Sequence, residues 1–86
     1  MRETVKKLLI TTELPFDQLE ILMRIHLANR TSFSVTWVKR VQATNFSYYC
    51  YVVMEDARRE ADICAALELV CVEVLRATKC VWQPIT

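Results

Sequence analysis

SYYCYVVME, residues 47–55, decides how this chain folds. At a period of two, Tyr49, Tyr51 and Val53 point one way, and Tyr48, Cys50, Val52 and Met54 the other. Both sets are apolar, which is the pattern of a strand at the centre of its sheet rather than at an edge. Three tyrosines and a cysteine in one apolar run leave two readings. Either the outward rings form a platform on which a planar ligand stacks, or tyrosine is there because it fills a strand well.

Upstream of this stretch, residues 33–43 alternate, with Phe33, Val35, Trp37, Val41 and Ala43 on one side. Ser34, Thr36, Val38, Arg40 and Gln42 fall on the other, and Lys39 is an exception on the apolar side. This predicts one half-buried strand joined through a short turn near Asn45 to a strand over Phe46 to Met54 as an antiparallel hairpin. TVKKLLIT, residues 4–11, reads as a further strand, ending at a Leu-Pro step. A helix is predicted from about Pro15 to Asn29, with Pro15 at its first position, where a missing N–H does no harm. Its apolar stripe is Phe16, Leu19, Leu22, Met23, His26 and Leu27, leaving Ile21, Ile25 and Ala28 on the opposite side.

Downstream, Asp56 is a good N-cap for a second helix over about Ala57 to Thr78. Ile63, Cys64, Leu67, Val70, Cys71, Val74 and Leu75 form its inner stripe, with Leu69 and Val72 outside it. CVWQPI reads as a short last strand, with Pro84 marking an edge. The order is βαββαβ: an α+β, ferredoxin-like domain over residues 1–86, with two helices on one face of a four-stranded antiparallel sheet. One face of that sheet is left open, with SYYCYVVME at its middle.

Composition narrows the function classes. Eleven basic residues stand against ten acidic ones, so no strong global field draws the chain to nucleic acid or to an anionic membrane, and such binding would have to be local. ICAALELVCVEVL is interrupted by Glu68 and Glu73 and falls short of the roughly 18 apolar residues of a spanning helix. The charged start MRETVKK lacks the apolar core of a secretion signal, so a soluble, cytoplasmic protein is expected. Cys50, Cys64, Cys71 and Cys80 contain no C-x-x-C pair and share the chain with one histidine, a poor zinc signature. They read as buried reduced thiols, and Cys64 and Cys71, two turns apart on one helix face, cannot bond to each other. The chain has no glycine, so it holds no Gly-rich phosphate loop, dinucleotide fingerprint or nucleophile elbow. Its turns are expected at Glu13-Leu14-Pro15, Asn29-Arg30-Thr31-Ser32 and Thr44-Asn45.

LLITTELPFDQLEIL, residues 8–22, resembles the opening strand of an RNA-recognition motif domain followed by its Leu-Pro-Phe-Asp entry to the first helix. YYCYVVMEDARREADICAAL, residues 48–67, resembles that family's third strand running into an Ala-rich helix. Laid on Ser47 to Met54, the family signature K/R-G-F/Y-G/A-F-V-x-F/Y puts its aromatic positions on Tyr49 and Tyr51, its small residue on Cys50 and its valine on Val52. The resemblance implies that Tyr49 and Tyr51 carry stacked bases. Ser47 replaces the basic residue, Tyr48 the glycine and Met54 an aromatic, and Leu9 stands where the first strand would offer its own ring.

No residue spacing assembles a nucleophile with a base, and the expectation is a non-catalytic domain with no cofactor, metal or small-molecule substrate. His26, on an apolar stripe, reads as a core or boundary residue. The remaining signal is surplus apolar surface: Ile21, Ile25, Ala28, Leu69 and Val72 on the helices, and Tyr49, Tyr51 and Val53 on the sheet. The leading expectation is a protein-interaction domain, a regulator, adaptor or inhibitor of the kind a virus or phage could encode, acting on a protein partner and forming a homodimer. The alternative is a single-stranded RNA-binding module using Tyr49, Tyr51, Val53 and Leu9, with Arg40 reaching a phosphate.

Overall fold

A computed structural model describes residues 3–27, 32–36, 38–41 and 46–85. Strands β1 (Thr4–Thr11) and β4 (Ser47–Met54) pair antiparallel along their whole length, from Thr4 opposite Met54 to Thr11 opposite Ser47. β5 (Lys79–Pro84) adds to the free side of β1, and β2 (Phe33–Val35) and β3 (Lys39–Arg40) add to the free side of β4. The order is β2-β4-β1-β5, with β3 also on β4. With helices α1 (Phe16–Leu27) and α2 (Glu60–Glu73) this is an α+β chain with an open five-stranded antiparallel sheet. β4 is central, as its two apolar faces require, and β5, with its proline, is an edge.

The predicted single strand over residues 33–43 is instead two short pieces, and the ladder shows why. Val35 faces Val52 and Lys39 faces Tyr49, so four steps on the outer strand answer three on β4. One residue is extra, which is a β-bulge. Thr36 fastens it: its N–H donates to the Tyr51 carbonyl at 2.9 Å, and its Oγ1 accepts from the Tyr51 N–H at 2.9 Å. The hydroxyl thus stands in for a ladder carbonyl. Beyond the bulge the phase is reversed. Val38, expected outside, is buried, and Lys39, the apparent exception on the apolar side, is exposed. Trp37 and residues 42–45, including Ala43 and the expected Asn45 turn, lie outside the described residues, as do Ala28 and the turn at 29–31.

Tyr48, Cys50, Val52 and Met54 of β4 and Leu8 and Ile10 of β1 are buried, and they form one core with both helices. α1 follows the Leu-Pro step, the Pro15 carbonyl accepting the first helical bond from the Leu19 N–H at 3.0 Å. Its Leu19, Met23 and Leu27 are buried and Phe16 and Leu22 half-buried, as the stripe predicts. His26 departs from it. It is exposed in the last turn beside Arg24, where positive charge suits the carbonyl end of the helix.

Asp56 caps the second helical segment as expected, accepting from the Arg58 N–H at 3.0 Å. That segment opens with a 3₁₀ turn at Ala57–Arg59, and α2 ends at Glu73 rather than near Thr78. Ile63, Leu67, Cys71 and Leu75 lie fully inside, and Cys64, Val70 and Val74 pack against them. Two side chains tie this layer to the sheet. Buried Thr12 donates its hydroxyl to the Leu75 carbonyl at 2.7 Å, and Trp82 Nε1 donates to Glu68 Oε1 at 2.8 Å. The four thiols are unbridged, Cys50 and Cys71 buried and Cys64 and Cys80 only half-buried. Burial, with some contribution from the Cys80 charge, pushes the Cys50 thiol up to about 12. The Cys71 thiol is raised because it donates a hydrogen bond to Cys80.

The shortened helix is closed by Arg76 at φ 52°, a left-handed conformation that glycine normally supplies and this glycine-free chain must force on a larger residue. The closing bond runs from the Ala77 N–H to the Cys71 carbonyl at 2.9 Å. Since a Cβ there costs roughly 1 kcal/mol, Arg76→Gly is expected to raise the stability of the dilute protein by about that amount. The urea midpoint should rise with an unchanged slope. A lower midpoint would mean that the arginine side chain contributes more than the strain removes.

Candidate nucleic-acid interface

The face of the sheet opposite the core is built by the odd-numbered residues of β1 and β4. Leu9 lies opposite Tyr49, Lys7 opposite Tyr51 and Val5 opposite Val53. β5 extends the face with Lys79, Val81 and Gln83, set against Thr11, Leu9 and Lys7. On the far side Ser34 lies opposite Val53 and Lys39 opposite Tyr49. Of the three tyrosines, Tyr48 therefore belongs to the core, where its ring stacks on Phe16 at 6.0 Å and its hydroxyl donates to the Leu14 carbonyl at 3.3 Å. Tyr49 and Tyr51 belong to the open face and are half-buried.

Their rings meet edge to face, with centroids 6.0 Å apart and planes at 79°. Lys7 Nζ lies 4.5 Å from the Tyr49 ring centroid, a cation–π contact that holds an ammonium directly beside the ring pair. Lys39 and Lys79 are exposed on either side. Every charged residue that the ladders place on this face is a lysine: Lys7, Lys39 and Lys79. Among the described residues none of the three is engaged in an ion pair, whereas Lys6, on the other face, bonds Glu60 at 3.3 Å. A chain of nearly balanced charge thus concentrates positive charge around two aromatic rings.

Arg40 is not part of this face. The bulge sets it opposite Tyr48, and its guanidinium carbon lies 5.1 Å from the centroid of the Phe16 ring. There it lines a cavity of about 330 Å³ at the start of α1, with Glu13 and Asp17 among the other walls. The basic residue of this segment that the bulge sets on the open face is Lys39, opposite Tyr49. Leu9 and Val53 sit where alternation placed them, as half-buried aliphatics flanking the rings. Lys7, Lys79 and Val81 were missed by sequence reasoning, although Lys7 is in phase with Leu9 in TVKKLLIT and that alternation could have found it.

The helix-surface candidates form a separate set. Ile21 and Ile25 on α1 are 56% and 68% exposed, and Leu69 and Val72 on α2 are each 58% exposed. Ala28 lies outside the described residues. Among the described residues no group of three His, Cys, Asp or Glu side chains is placed to hold a metal ion, and no helix is long and apolar enough to cross a membrane. No protein-family model, curated protein or solved structure matches the chain.

Proposed function

We propose that this chain is a non-catalytic binding domain of ferredoxin-like, RNA-recognition-motif type, and that the open face of its sheet takes single-stranded RNA. The observation that carries the reading is the ladder's charge pattern. Among the described residues that the ladders pair on this face, the two tyrosine rings are joined by three lysines and no carboxylate. Stacking on Tyr49 and Tyr51 accepts any base, because every base has a π-face, and the lysines meet the phosphates on either side. A protein partner would need apolar or acidic surface to match this face. An RNA strand supplies planar rings and negative charge together. Strand order and the core shared by the two helices support the ferredoxin-like assignment.

The test is anisotropy of a labelled single-stranded RNA pool against salt. With three lysine–phosphate contacts the slope of log K against log salt is expected near −2, roughly 20-fold weaker binding between about 50 and 200 mM. Lys39→Ala should lower the slope by about 0.7, while Arg40→Ala should leave it unchanged. A matching single-stranded DNA pool reports whether the 2′-hydroxyl contributes. Absence of RNA binding at the lowest salt would overturn the proposal.

A further inference from the structure

α2 and β5 run in opposite directions, and three side-chain contacts fix how they lie against each other. Glu60, at the start of α2, bonds Lys6, which the ladder sets opposite Pro84 at the end of β5. Glu68, about two turns further on, accepts from Trp82 Nε1 at 2.8 Å. Leu75, just past the helix, accepts at 2.7 Å from Thr12, whose neighbour Thr11 pairs with Lys79 at the start of β5. Cys71 lies between the second contact and the third, and Cys80 lies between Trp82 and Lys79. Cys80 is opposite the core residue Ile10, which puts it on the side of β5 where Cys71 is buried. The two sulfurs meet there, the Cys71 thiol donating a hydrogen bond to Cys80. The turn that joins them is fastened at both ends, the Ala77 N–H donating to the Cys71 carbonyl at 2.9 Å and the Thr78 N–H to the Thr11 carbonyl at 2.8 Å.

We propose that Cys80 and Cys71 are a hydroperoxide-reactive thiol pair that closes to a disulfide within one chain, Cys80 attacking the oxidant and Cys71 resolving the product. Cys80 is half-buried and open to a small oxidant, whereas Cys71 is buried beneath it. The hydrogen bond from Cys71 holds the Cys80 thiol below its ordinary value, against burial and the Glu68 charge, and so favours the thiolate, which is the nucleophilic form. In the first step the Cys80 sulfur attacks one peroxide oxygen, the O–O bond breaks, and the leaving hydroxide takes up the proton Cys80 gave, leaving a sulfenic acid and one water. In the second the Cys71 sulfur attacks the Cys80 sulfur, the S–O bond breaks, and the hydroxyl leaves as water with the Cys71 proton. Two thiols lose two electrons, and one hydrogen peroxide becomes two waters. The other thiols suit neither role. Cys50 is buried, and burial pushes it up to about 12. Cys64 stands two turns before Cys71, one turn from Glu60 and so toward the Pro84 end of β5, and burial raises its thiol too. The pair lies on the core side of β5 and the RNA face on the other, so this inference does not depend on the proposed function.

Equimolar hydrogen peroxide added to the reduced full chain, followed by alkylation under denaturing conditions and sequencing of the peptides by mass spectrometry, tests it. The chain is expected to lose about 2 Da, to keep two of its four thiols open to alkylation, and to carry a link between Cys71 and Cys80. Dithiothreitol should restore all four thiols. Cys71→Ala should stop at the sulfenic acid of Cys80, which dimedone traps, and Cys80→Ala should give neither adduct nor link. Cys64→Ser keeps the pair and should oxidise as the wild type does. Because Cys71 is in the core, its variant is first checked by circular dichroism, and the wild-type peptide map decides by itself if that variant does not fold. Four alkylatable thiols after an excess of peroxide overturn the proposal. So does a link between any other two cysteines, or one that joins two chains.

Discussion

Tyr49→Ala/Tyr51→Ala is expected to weaken single-stranded RNA binding by between about 30-fold and 10⁴-fold, since base stacking on an aromatic ring is worth about 1–3 kcal/mol per base. The loss comes from three sources that the geometry ties together. Both stacking faces go, the edge-to-face contact that orients each ring goes, and Lys7 loses the ring that holds its ammonium beside the site. The fold should survive, because both rings are half-buried on the side of the sheet away from the core. Tyr49→Phe/Tyr51→Phe separates stacking from the hydroxyls and should retain most of the affinity. The control is Tyr48→Ala, which removes a core ring and should unfold the domain. If the double alanine variant is folded and binds RNA as the wild type does, the rings are strand filler.

The parts of the fold that could be read from the sequence are those in which one periodicity runs unbroken. β1 at Thr4–Thr11, β4 at Ser47–Met54 and the inner stripe of α2 each follow from a single repeat, and the structure has them where the repeat puts them. What could not be read are interruptions of phase. A bulge adds one residue without changing composition, so FSVTWVKR looks like one alternating strand although Phe33 and Arg40, which unbroken alternation would set on opposite sides, both lie on the side of Met54 and Tyr48. That single residue exchanges Arg40 for Lys39 on the open face. The end of α2 was misplaced for a related reason. A glycine would have announced the left-handed residue, and here an arginine occupies that position. His26 was misjudged because the buried line of α1 runs through Leu19, Met23 and Leu27, and His26, to one side of that line in the last turn, stays in solvent. The lysine pattern of the open face needed the partner strands to be known, since Lys7, Lys39 and Lys79 come from three different segments and meet only through the ladders.

Leu67→Ala is expected to cost about 2–5 kcal/mol of stability, and Leu69→Ala, two residues along the same helix, less than about 0.5 kcal/mol in dilute solution. Leu67 is 1% exposed and packed between α2 and the sheet, so truncation removes its buried methyl groups and leaves a cavity that a layer pinned by Thr12 and Trp82 cannot readily close. Leu69 is 58% exposed and has no such neighbours to lose within one chain. Since small domains hold only about 5–15 kcal/mol in total, the first change removes a large share of the margin and the second almost none. Urea denaturation of both variants checks this, and equal losses would mean that the phase assigned to α2 is wrong.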